Sequence, residues 1–86
     1  MTIEETIKLK EIVADILEVD LLEISNDYNL VDSGIDSISF IKLIILIENT
    51  FLIEFADEDL SVFNLSTLDE IIKYIDQNRK LVETIR

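Results

Sequence analysis

Apolar residues return every three or four positions along most of this chain, and the stretches between them are polar. Ile3, Ile7, Ile12, Val13, Ile16 and Leu17 form the first such run, so residues 3–18 are expected to be an amphipathic helix. Thr2 and Glu5 make a T-x-x-E start in which each side chain can satisfy the other's backbone donor. EVDLLEISNDYNLVDSG follows without a sustained period. Its apolar anchors, Leu21, Leu22, Ile24, Tyr28, Leu30 and Val31, predict a long connection packed against the body, with room for a short helical turn. A second helix is expected from Asp36 or Ser37 to about Phe51, and ADEDLSVF reads as a short helix with acids in its first turn. STLDEIIKYIDQNRKL reads as the last helix. Thr67 and Glu70 open it, Leu68, Ile71, Ile72 and Ile75 form its apolar side, and Arg79 and Lys80 suit its negative C-terminal end. FLIEF has some β character, but one strand would have no partner. The expected fold is all-α, a small four-helix bundle with three main helices, one short one and a long first loop. It occupies one domain over residues 1–86.

The second helix has two apolar sides. Phe40, Leu43, Ile44, Ile47 and Phe51 share one face, wide enough for a core stripe. Ile38, Ile41, Ile45 and Leu52 lie on another, with Lys42, Glu48 and Asn49. Either a neighbouring element covers this second stripe, or it stays exposed beside Ser37 as a surface for another protein.

Composition narrows the chemistry. The chain has 86 residues and a net charge of −12, which rules against nucleic acid and anionic membrane surfaces as partners. The acidic excess is either a solubilising surface or a means of steering towards basic patches on other proteins. There is no histidine and no cysteine, so Ser-His pairs, thiolate chemistry, disulfides and Cys-based metal sites are excluded. The acidic start does not resemble a signal peptide, and the ten-residue apolar stretch ISFIKLIILI is too short to span a bilayer; a cytoplasmic protein is expected. DEDLSV lacks the glycine and the final glutamate of a calcium loop.

Three features meet at DSGIDSISF. Gly34, the only glycine, can adopt the backbone angles needed to turn the chain into the helix. Asp36 is a strong N-cap candidate, and Ser37 follows in the first turn, where backbone N–H groups lack partners and a phosphate would meet the helix dipole. Lys42 projects to another side of the helix, so it is no base for Ser37.

These residues carry a resemblance. Gly34-Ile35-Asp36-Ser37-Ile38, followed by Phe51, Ile53-Glu54-Phe55 and Asp57-Glu58-Asp59, resembles the phosphopantetheine-attachment region of acyl carrier proteins, and the likeness extends over nearly the whole chain. The resemblance implies a 4′-phosphopantetheine arm on Ser37, installed by a separate phosphopantetheinyl transferase. The arm would carry an acyl, aminoacyl or peptidyl cargo as a thioester to activating, transfer and condensing enzymes. The protein itself would catalyse nothing and would be a monomer. Asp36 would help the transferase engage the site, with Ile38 the adjacent apolar contact. Ile41, Ile45 and Glu48 would lie on the partner-facing side, with Lys42 at its rim. Lys42 and Asn49 replace acids common in the family's fatty-acid members, Ala56 replaces a frequent proline, and the Gly-Gly-Asp-Ser pattern of peptide-synthetase carriers is missing. A dedicated pathway, polyketide, hybrid peptide or specialised aminoacyl or acyl transfer, is therefore favoured over housekeeping fatty-acid synthesis. The rival expectation is a helical adaptor or dimerisation domain in which Ser37 is only a cap.

Overall fold

In a computed structural model of the chain, which describes residues 1–85 and only the backbone of residues 80–85, four α-helices carry the fold. They are α1 (Ile3–Leu17), α2 (Leu30–Ser33), α3 (Ser37–Phe51) and α4 (Leu68–Ile85), with 3-10 turns at Leu21–Glu23 and Asp57–Asp59. The all-α expectation of three main helices and one short one holds. The short helix, however, lies inside the first connection. The segment ADEDLSVF forms only the turn Asp57–Asp59, and Leu60 and Val62 then lean onto the core.

The helix starts behave as their sequences predict. Thr2 and Glu5 form a reciprocal capping box at α1. Thr67 caps the first turn of α4 by accepting from the Glu70 N–H at 3.2 Å. The core is wholly apolar among the described residues, with Leu9, Val13, Leu30, Leu43, Ile47, Leu68, Ile71 and Ile75 fully buried. Burying such side chains is what holds a domain of this size together, at about 1.5–3 kcal/mol each. FLIEF forms no strand: Phe51 ends α3, the backbone passes through a left-handed Leu52 (φ 56°), and residues 53–55 follow without regular structure, burying Ile53 and Phe55.

Several anchors fall elsewhere than expected. Ile3 and Ile7 are exposed and Leu9 is buried, because the inward stripe of α1 is Leu9, Ile12 and Val13, and Ile7 sits more than half a turn round from Leu9. In the first connection Ile24 and Leu30 are buried and Tyr28 packs beside them, whereas Leu21, Leu22 and Val31 face solvent. α4 continues to Ile85, so Arg79 lies more than a turn short of its end and instead pairs with Glu5 across to α1, 2.7 Å away. The side chain of Lys80 lies outside the described residues.

The long first connection is stitched to the start of α4. Leu30 N–H donates to the Ser66 carbonyl at 2.7 Å, Asp69 N–H to the Asn26 carbonyl at 3.0 Å, and Asn29 and Thr67 form an isolated antiparallel bridge. These bonds satisfy backbone groups that a loop on a small core would otherwise leave to water.

Candidate functional site

The approach to Ser37 is built by two successive caps. Asn29 caps α2, accepting from the Asp32 N–H at 3.0 Å. Gly34 closes that helix in the left-handed region (φ 79°), with its N–H turned to the Leu30 and Val31 carbonyls. A Cβ there would meet nothing within 4 Å, so the backbone angle and not the space selects glycine. Ile35 tucks against the core, and Asp36 returns to extended geometry as the N-cap of α3. Its carboxylate accepts from the Ser39 N–H at 2.7 Å. That backbone hydrogen bond, more than any charge, holds the Asp36 carboxyl below its usual range, and Lys42 adds a smaller electrostatic pull.

Ser37 is therefore the first residue of α3, at the positive end of the helix dipole. It is exposed, and among the described residues its hydroxyl has no hydrogen-bond partner. Lys42 does not line the cleft beside it, and the chain has no histidine. The hydroxyl is accessible from solvent. It opens onto a cleft of about 220 Å³ whose apolar walls are Ile35, Phe40, Ile41, Leu60 and Val62. Leu60 and Val62 were absent from the expectations; their signal is an apolar pair just after the acids at 57–59. A broader hollow of about 630 Å³ lies by the C-terminal end of α3, among Leu52, Phe55 and Tyr74, and holds no comparable hydroxyl at a helix start.

The wall carrying Leu60 and Val62 is latched by Tyr74. Its ring stacks on Phe55, with centroids 4.6 Å apart. Its hydroxyl accepts from the Ala56 N–H at 2.9 Å and donates to the Asp59 carboxylate at 3.1 Å.

Both expected faces of α3 are found. Phe40, Leu43, Ile44, Ile47 and Phe51 are buried, while Ile38 is 71 % exposed, Ile41 46 %, Ile45 49 % and Leu52 86 %. Lys42 is exposed among them. Leu46, 42 % exposed, extends the same surface and was not anticipated, although it follows Lys42 by one helical turn. Glu48 differs from its neighbours. It is half-buried, and its carboxylate accepts the Phe55 N–H at 2.9 Å, bracing the chain as it leaves the helix. Among the described residues, no helix is long and apolar enough to cross a membrane.

Comparison with known proteins agrees with this geometry. The family described as phosphopantetheine attachment site matches residues 8–75. An acyl carrier protein of Clostridium perfringens is 36 % identical over 72 residues, spanning 83 % of this chain and 92 % of its own. An acyl carrier protein of Clostridium acetobutylicum is 35 % identical over 69 residues, spanning 79 % of this chain and 87 % of its own.

Proposed function

This chain belongs to the acyl carrier proteins, which hold a cargo on a covalent 4′-phosphopantetheine arm, and from that premise we propose that Ser37 bears the arm. One observation carries the assignment: an exposed, unpartnered hydroxyl at the first position of a long helix, fixed by the Asp36 cap and open to an apolar cleft. A phosphodiester at Ser37 would meet the unpaired N–H groups of the first turn and the helix dipole. The arm supplies the thiol that forms the thioester, which suits a chain without cysteine.

Ser37 Oγ displaces the nucleotide part of coenzyme A at phosphorus: the Oγ–P bond forms, the P–O bond to the leaving phosphate breaks, and the hydroxyl proton leaves with the transferase's base. Every catalytic group in that step belongs to the phosphopantetheinyl transferase, and this chain contributes only the acceptor. Gly34 and Asp36 set the position and orientation of the hydroxyl. The apolar cleft offers shelter for the nearest part of the arm. Ile38, Ile41, Lys42 and Ile45 form the docking surface, with Glu48 holding its lower end in place. In this reading residues 1–86 act as one monomeric, cytoplasmic carrier domain in a dedicated pathway, whose activating enzymes load an acyl or aminoacyl cargo. The tether then keeps the cargo at high local concentration for successive enzymes.

Intact mass after incubation with coenzyme A and a broad-specificity transferase tests the assignment. A single phosphopantetheinyl addition is expected on the wild type and none on Ser37→Ala. The structure already gives the cap to Asp36, so a folded wild type that several transferases leave unmodified would make Ser37 an ordinary exposed residue beside that cap. A tight homodimer through the α3 surface would then support an adaptor.

A further inference from the structure

The outward face of α3 carries little of the molecule's negative charge. The chain totals −12, yet between Ser37 and Phe51 the only charged side chains are Lys42 and Glu48. Glu48 is turned to the Phe55 N–H, while Lys42 stands exposed and makes no ion pair among the described residues. Ile38, Lys42, Ile45 and Asn49 follow one another at helical spacing, with Ile41 and Leu46 on either side. The surface that begins beside Ser37 is therefore an apolar strip with a single cation at its middle.

We infer that this strip docks an enzyme surface that is apolar and bears a carboxylate to receive the Lys42 ammonium. The inference rests on the carrier reading and adds the chemistry of the partner. Apolar contact supplies the affinity, and the Lys42 ion pair fixes the register of the helix. A basic partner groove, which the overall charge would attract, would leave Lys42 facing like charge at the centre of the contact.

The holo protein, its arm confirmed by mass, is assayed with the acyl- or aminoacyl-activating enzyme of a purified panel that loads it fastest. Lys42→Arg should stay within about twofold in kcat/KM. Lys42→Met should lose roughly 3–10-fold and Lys42→Glu more than about tenfold, both through KM. A Lys42→Glu protein loaded as well as or better than wild type would overturn the inference. A second measurement needs no loading enzyme. Two amphipathic helical peptides, with the same leucine face but a central Glu or a central Lys, are titrated into the wild type and followed by amide chemical shifts. The Glu peptide should bind at least about threefold more tightly, shift the amides of Ile38 to Leu46, and lose its advantage on Lys42→Glu. Tighter binding of the Lys peptide would show that the bulk charge governs, and binding of neither would remove the strip as a docking surface; either result overturns the inference. Failure of the mass shift at Ser37 would instead overturn the carrier assignment, and the peptide result would still decide the character of the strip.

Discussion

Asp36 and Ser37 are neighbours with separate duties. Asp36 holds the first turn of α3 through its carboxylate, whereas Ser37 has no structural bond to lose. Asp36→Ala should lower the melting temperature by about a few degrees and slow modification of Ser37, while Asp36→Asn, whose amide oxygen can still accept from Ser39, should keep most of the stability. Thermal scans and timed mass spectra check both. The carboxyls of Asp36 and Glu5 both lie below their usual range, each chiefly because a backbone N–H bonds the ionised form. In such a case the unfolded chain takes up protons first as pH falls. The stabilisation is complete above about pH 5 and is lost as pH drops through the depressed folded values. Asp36→Ala should therefore flatten the melting curve against pH in the acid range, and an unchanged slope would show that the cap contributes nothing there. Ser37 was legible in the sequence because everything that positions it lies within a few residues: a glycine for the turn, an acid for the cap and a helical run behind.

At the level of the helices, α3 is divided between a buried face that holds the fold and an exposed apolar face proposed to meet other proteins. Leu43→Ala removes a fully buried side chain and should cost about 2–5 kcal/mol in urea unfolding. Ile41→Asp changes a side chain already half in solvent; it should leave the stability within about 1 kcal/mol while impairing use by partner enzymes. Unfolding of Ile41→Asp would make that face core. Tyr74→Phe deletes the hydroxyl that joins Ala56 to Asp59 and should cost about 1 kcal/mol, read by the same denaturation. The three long helices were legible because each repeats its apolar period over several turns. α2 was legible only as room for a short helical turn in the first connection and not as a placed element, since a one-turn helix has too few residues for a period and depends on its caps and its tie to Ser66. The opposite error at residues 57–59 has the same root: acids in a first turn favour a helix, but Tyr74, far along the chain, fixes the segment as a turn.

Over the whole molecule, what the sequence could not disclose is what distant segments do to one another. Leu60 and Val62 become walls of the cleft beside Ser37, and Glu48 becomes a brace, only once the segment after α3 has folded back. The same long-range logic gives the stitch between the first connection and α4 a kinetic meaning. Leu30 is a fully buried residue in a stretch without a long helix, and its amide is spent on Ser66. It should therefore exchange its proton with deuterated solvent as slowly as amides in the middle of α3, requiring global opening, while its exposed neighbours Val31 and Asp32 exchange sooner. The segment leading into Ser37 would then be no hinge. With the arm on Ser37 as proposed, the arm would move as its cargo swings between enzymes, and its point of attachment would stay still.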